Sequence, residues 1–371
     1  MTTRPPLRIA LLSESDIVGG AETMIAHLAR GLQKRGHEVH FIGPEHGSGW
    51  LGGVLAGEGF HTHTFHLRRA LDPACLRHLA RIFRTHELDV AHSHMFAMAV
   101  YGAGAALLTR RPHVITMHGD SEQTRFWRRR VALRWAFRRS QAVIAVSENM
   151  RTELITALGW AGEIGVVVNG VPGDKGDRAR IRGELGVTPD EFLIVAVGSY
   201  CRRKAHLDLL LALEQIGNAV PWRVAVAGPP GDASHELHDF VETRGWQSRA
   251  HLLGPREDVR DLLAASDLYV MPSLWEGLPL ALLEAMFSEK PIISTTAGGI
   301  PETVQHDEEA VLVPPSDPTS LAEAIRTMFE NPTRAAQLAA SGRRSAEARF
   351  SLDRMVQAYE ETYYSVMRMP Q

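Results

Sequence analysis

From Leu7 to Val313, short apolar runs alternate with stretches of helical periodicity, and this alternation constrains the fold more than any other feature of the chain. In the first half, Leu7–Leu12, Val39–Ile42, Asp89–His92, Val114–Met117, Ala142–Val146 and Gly165–Val168 read as strands. In the second half, Phe192–Val197, Arg223–Ala227, His251–Leu253, Leu268–Met271, Ile292–Ser294 and Val311–Val313 do so. Between the first two strands, Met24, Ile25, Leu28 and Leu32 form a helical stripe, with Gly36 placed to end it as a C-cap. Strands that are apolar along most of their length need cover on both faces, which a parallel sheet with crossover helices provides. The expected fold is therefore α/β, with two doubly wound domains. A length of 371 residues is enough for two ordinary cores. The turn formers Asn169-Gly170-Val171-Pro172-Gly173-Asp174 mark the junction, giving domains at 1–172 and 173–351. From Leu321 onward the pattern is helical, and the last helix, Leu352 to Met367, repeats Met355, Tyr359, Tyr363 and Met367 along one stripe.

Composition narrows the functional classes. A net charge of −3 argues against nucleic acid as a partner. Cys75 and Cys201 lie far apart, which fits a reducing compartment better than a disulfide framework. Leu7–Leu12 has the length of a strand rather than of a signal-peptide core, and no apolar run approaches the ~20 residues that span a bilayer. The expectation is a cytoplasmic protein, with peripheral contact at the inner membrane face left open. That contact would use residues 125–139, where arginines interleave with Phe126, Trp127, Trp135 and Phe137. The ordinary alternative is an amphipathic helix with its aromatic stripe in the core. His61, His63 and His66 also cluster, with His61 and His63 on one face of a strand. No Cys, Asp or Glu accompanies them at ligand spacing, so the expectation is a polar strand face and no metal.

Glu276 and Glu284 carry the sharpest chemical signal. They bracket Gly277-Leu278-Pro279-Leu280-Ala281-Leu282-Leu283, between the Leu268–Met271 strand and a helix. Proline suits the first helical position, which puts Glu276 in the loop and Glu284 inside the helix. Eight helical residues rise about 12 Å, so the two carboxylates serve an elongated ligand better than one shared proton or ion. The N–H groups and positive dipole end between them suit a phosphate. Leu280, Leu282, Leu283 and Met286 make the helix apolar on nearly every side, so a carboxylate at Glu284 needs a partner.

The same chain carries an ordered series of short motifs. Gly19-Gly20-Ala21-Glu22 follows the first strand, then come His92-Ser93-His94, Met117-His118-Gly119 and Val146-Ser147-Glu148. Val168-Asn169-Gly170-Val171, the run Gly198 to Lys204, the Glu276–Glu284 block and Gly298-Gly299-Ile300-Pro301-Glu302 complete it. In this order the motifs resemble those of glycosyltransferase family 4, retaining enzymes that use nucleotide sugars. The resemblance covers nearly the whole chain. It implies the GT-B architecture, two Rossmann-like domains facing across a cleft, with residues 352–371 returning to the first domain.

By the same resemblance, Glu276 holds donor-sugar hydroxyls, Glu284 holds the ribose, and the Gly277, Leu278 and Pro279 backbone lies beside sugar and diphosphate. Gly19 and Gly20 let backbone approach the donor phosphate or the acceptor, their ordinary reading being a tight turn. His118 touches the donor sugar, and Asp120 is a lesser acceptor-side candidate. Lys204 matches the family lysine that stabilises the departing diphosphate. The chain departs from the family at Ser199, where an arginine is usual, and Arg202 and Arg203 are the neighbouring cations that could replace it.

No Asp-x-Asp triplet is present, so the leaving charge falls to fixed cations, with no metal and no cofactor beyond the substrate itself. The implied activity is metal-independent, retaining transfer of a hexose from a nucleotide diphosphate sugar, UDP-sugar favoured, to a hydroxyl acceptor. The acceptor class stays open among saccharides, lipid-linked sugars and small molecules, in glycan, glycolipid or cell-surface polysaccharide synthesis. Two alternatives remain: a nucleotide-sugar epimerase, which would isomerise free donor, and a non-catalytic subunit that binds sugar nucleotide without transferring it.

Overall fold

The computed structural model describes residues 4–47, 49–119, 122–174 and 176–369. It divides into two compact units, one running to Gly170 and resuming at Leu352, the other comprising Val171–Ser351.

The first unit is built on seven strands: β1 (Arg8–Ser13), β2 (Glu38–Pro44), β3 (His61–Phe65), β4 (Val90–His94), β5 (His113–Met117), β6 (Ala142–Ala145) and β7 (Gly165–Val166). They pair in parallel in the order β3-β2-β1-β4-β5-β6-β7. On one face, Ala10, Ile42 and Ala91 pack with Leu79, Phe83 and Met98 of the crossover helices. β3 falls outside the apolar alternation because it is an edge strand, whose His-Thr-His-Thr-Phe sequence buries only Phe65.

The second unit has six strands: β8 (Phe192–Val197), β9 (Trp222–Ala227), β10 (Ala250–Gly254), β11 (Leu268–Met271), β12 (Ile292–Thr295) and β13 (Val311–Val313). Their order is β10-β9-β8-β11-β12-β13, again all parallel. Ile194, Val224, Val270 and Ile293 meet Leu213 and Ile325 in its core.

Strand order reverses between β1 and β4 in the first sheet and between β8 and β11 in the second. Connections leave opposite faces at such a point, which opens a crevice beyond the carboxyl ends of the strands. The motif residues lie at these ends: Gly19 and Gly20 after β1, His94 closing β4, Lys204 after β8, and Glu276 after β11.

The last helix, Leu352–Met367, belongs to the first unit. Tyr359 and Tyr363 are fully buried there, the Tyr363 hydroxyl lying 2.7 Å from His92 Nδ1 and the Tyr359 hydroxyl 3.2 Å from Thr116 Oγ1. Glu360 accepts hydrogen bonds from Arg35 and lies 2.9 Å from His37 Nε2, tying the helix to the end of Gly20–Lys34. The second unit begins and ends at one place, since Val171 and Ser351 form a parallel bridge and the Val171 N–H donates to Phe350 O at 3.1 Å.

Candidate active site

In the second unit, two neighbouring strand ends deliver a cation and a carboxylate to each other. Lys204 closes a short 3-10 turn, Arg202–Lys204, beyond β8. Its Nζ donates to Glu276 Oε1 at 2.6 Å, and the Ser273 hydroxyl donates to the same oxygen at 2.6 Å. Glu276 is only 6% exposed, so these bonds compensate a carboxylate largely withdrawn from water. Its Oε2 has no protein partner among the described residues.

The loop that carries Glu276 is held at several points. Glu276 O accepts the Gly299 N–H at 2.8 Å, the Thr295 hydroxyl donates to Ser273 O at 2.6 Å, and the Leu274 N–H donates to Arg203 O at 2.8 Å. Gly298 has φ +55°, and a Cβ there would lie 2.1 Å from Glu276 O, so the position requires glycine. Gly277 and Leu278 are buried behind Glu276.

The next helix spans Leu280–Phe287. Pro279 is therefore its cap rather than its first residue, with φ −77° and ψ 116°, and its carbonyl accepts from Leu282 N–H at 3.2 Å. The sequence signal is one residue off because neither position needs the N–H that proline lacks. No side chain caps this end, so its donors face outward from the helix.

Glu284 lies one turn further along, half-buried, with no side-chain partner among the described residues. Burial pushes its carboxyl up to about 7, countered in small part by Arg260. The Tyr269 hydroxyl on β11 is also fully buried without a partner. Burial raises its pKa well above that of an ordinary phenol, and the Glu276 and Glu284 carboxylates add to the effect.

The three candidates beside Lys204 are otherwise engaged. Ser199 Oγ contacts Cys201 Sγ at 3.3 Å, Arg202 pairs with Glu236 at 3.1 Å, and the Arg203 guanidinium lies over the Trp275 ring at 5.6 Å. Lys204 is the member of this loop that meets Glu276. Immediately after it, Ala205 takes a left-handed φ of 49° where glycine would be unstrained. His206 Nε2 then donates to Gly198 O at 3.0 Å, while its Nδ1 is buried and unpartnered.

In the first unit, Gly19 is the extended N-cap of Gly20–Lys34 with φ −155°, so no tight turn is formed there. A Cβ on Gly19 would lie 2.5 Å from the end of the Glu22 side chain, whereas one on Gly20 would meet open space. His118 follows β5, with its Nε2 2.9 Å from His94 Nδ1. His94 is fully buried and its Nε2 has no partner among the described residues. An orphaned buried N–H is rarer than an orphaned lone pair, which places the His94 proton on Nδ1. His118 then accepts at Nε2 and carries its own proton on Nδ1, while burial lowers its pKa to about 4. Asp120 lies outside the described residues.

Ser273, Thr295, Tyr269, His206 and His94 escaped the sequence reading as site residues. For Ser273 there was a usable signal, the three-residue spacing to Glu276 that lets a hydroxyl reach a carboxylate. His94 stood in a quoted motif without an assigned role, His206 bonds within its own loop, and Thr295 and Tyr269 leave no local trace.

The family model described as "Glycosyltransferase Family 4" matches residues 18–175, and that described as "Glycosyl transferases group 1" matches residues 191–331. Among curated relatives, N-acetyl-alpha-D-glucosaminyl L-malate synthase of Bacillus anthracis is 27% identical over 95% of each chain. An Escherichia coli relative, UDP-Gal:alpha-D-GlcNAc-diphosphoundecaprenol alpha-1,3-galactosyltransferase, is 28% identical over 68% of this chain and 70% of its own. The crystal structure of Anabaena HepE in complex with UDP-glucose superposes with a TM-score of 0.84 at 27% identity, covering 97% of this chain and 100% of that one. The chain belongs to the family-4 glycosyltransferases (glycosyl transferases group 1) and has their GT-B fold of two parallel-sheet α/β domains.

Proposed function

We propose that this glycosyltransferase moves a hexose from a UDP-sugar to an acceptor hydroxyl with retention of anomeric configuration and without a metal ion. The observation that carries the reading is the Lys204–Glu276–Ser273 cluster beside the uncapped end of Leu280–Phe287, with Glu284 unpartnered one turn along. A diphosphate suits the helix end and the Lys204 ammonium, which together stabilise the charge that grows as the glycosidic bond breaks. Glu276 Oε2 is available to sugar hydroxyls, and Glu284 to a ribose. Gly277, Leu278 and Pro279 border the sugar and diphosphate, and His118 offers an Nδ1–H donor to a sugar oxygen. Among the described residues, no second carboxylate is paired with Glu276 to act as nucleophile. Retention is assigned to a front-face route in which the departing diphosphate takes the acceptor proton on the side it leaves. Uridine is favoured by the HepE complex and by the UDP-galactose donor in the E. coli relative's name.

Acceptors in glycan, glycolipid or cell-surface polysaccharide synthesis are supported by the E. coli relative's name and a small-molecule acceptor by the B. anthracis relative's, and a lipid-linked acceptor would bring the enzyme to a membrane surface. No described helix is long and apolar enough to cross a membrane. The helix Trp127–Arg139 instead exposes Trp127 (68%) and Val131 (55%) beside Arg128, Arg130, Arg138 and Arg139, while burying Leu133, Ala136 and Phe137. An aromatic, cationic face of that kind suits an anionic bilayer.

A melting-temperature screen of nucleotide diphosphates and their sugars tests the donor assignment, since a ligand that binds only the folded state raises Tm. UDP and a UDP-hexose should raise it in the wild type. Glu284→Ala should reduce both shifts. Glu276→Ala should reduce the UDP-hexose shift while sparing or enlarging that of UDP, because Glu276 competes with a diphosphate for Lys204. Equal losses for both ligands in both variants would contradict these roles, and conversion of free donor to an isomer would replace transfer with epimerisation.

A further inference from the structure

The first unit holds a second cluster of titratable groups that sugar transfer does not use. It lies near the amino ends of β2 and β3, whereas Gly19, Gly20 and His118 follow the carboxyl ends of β1 and β5. His40 on β2 is in register with His61 on the edge strand β3, His63 lies two residues on, and His86 joins from the turn after the helix Pro73–Thr85. His40 Nδ1 is 3.0 Å from His63 Nε2, and the His86 ring centroid is 4.5 Å from that of His63 and 5.0 Å from that of His40. One ring nitrogen from each of His40, His63 and His86 lies within 4.8 Å of the other two.

Glu38 gives this cluster its direction. Its Oε1 lies 2.9 Å from His40 Nε2, and a carboxylate can only accept, so the His40 proton sits on Nε2. The His40 Nδ1 lone pair therefore points at His63. A carboxylate that holds the far nitrogen of a histidine is the arrangement that orients metal-bound imidazoles. His40 is 1% exposed, and both of its ring nitrogens are committed to partners, unlike those of a solvated surface histidine.

We propose that His40, His63 and His86 bind one borderline transition-metal cation of the zinc type, with water completing the coordination and Glu38 as the positioning residue. Three imidazoles and an open fourth position form a recognised zinc donor set. Binding requires His63 to hold its proton on Nδ1 instead of Nε2, so that the ion replaces the hydrogen bond to His40. The ion would join two strands to a helix end. A linear reading of residues 61–66 missed this site because His40 and His86 come from other segments.

The test is titration of the full chain with Co²⁺ alone as a spectroscopic probe, followed by displacement with Zn²⁺. One equivalent should produce the visible absorption of a tetrahedral Co²⁺ site. His63→Gln and His86→Gln should each abolish it, and His61→Gln should leave it. Glu38→Gln should keep the spectrum but weaken affinity about 10–100-fold. The proposal is overturned by a wild type that gives no such band at stoichiometric concentrations, by a band that survives in either His63→Gln or His86→Gln, or by loss in His61→Gln. Because the wild type alone can fail the test, an unstable variant does not shield the idea.

Discussion

At the scale of single residues, the candidate site is organised around charges kept partly unsatisfied. Glu276 shares one oxygen between Lys204 and Ser273 and leaves the other without a partner among the described residues. Glu284 is left without a side-chain partner among the described residues, and its carboxyl is pushed up to about 7 by burial. An unfolded glutamate ionises near 4.5, so between about 4.5 and 7 the folded chain holds a proton that the unfolded chain has released. Stability from this group is therefore greatest at low pH and falls as pH rises through that window. Melting curves recorded from pH 5 to pH 8 should show Glu284→Gln gaining on the wild type toward pH 8, and parallel curves would remove Glu284 as the source. The positions of Glu276 and Glu284 were legible in the sequence because a local strand–loop–helix frame fixes them. Tyr269 was not, because an apolar strand with one tyrosine reads as core until the hydroxyl is found without a partner.

At the scale of elements, the sequence showed strand positions to within a residue or two wherever a strand is buried on both faces. At β3 only the polar face of His61 and His63 was legible, because an edge position removes the need for an apolar pattern. The helix Trp127–Arg139 was ambiguous for a physical reason: an aromatic stripe reads the same whether it faces a core or a lipid surface. The structure turns Trp127 and Val131 outward and gives the core to Leu133, Ala136 and Phe137. Partitioning onto vesicles containing anionic phospholipid should follow, and Trp127→Ala combined with Val131→Ser should reduce it by about tenfold, since the lost apolar contacts add to the arginine attraction. Co-sedimentation that is unchanged by the double substitution, or equal on purely zwitterionic vesicles, would assign this face to something other than a bilayer.

At the scale of the whole molecule, both units place their motif residues at a reversal of strand order, which is why residues far apart in sequence converge: Lys204 with Glu276, and His94 with His118. The last helix completes the first unit by supplying polar partners to its buried histidines. Tyr363→Phe would leave His92 Nδ1 buried and unpaired, at a cost of about 1–3 kcal/mol in urea unfolding, while the second unit's ligand-induced shift should persist. An unchanged unfolding midpoint would show that this tyrosine contributes only its ring. The bridge between Val171 and Ser351 has a consequence for how such enzymes diversify. Because the intervening 171–351 polypeptide departs and returns at one point, recombination can replace that internal block whole without stretching the host. Whatever that block binds can then pass between lineages while the rest of the chain stays unchanged.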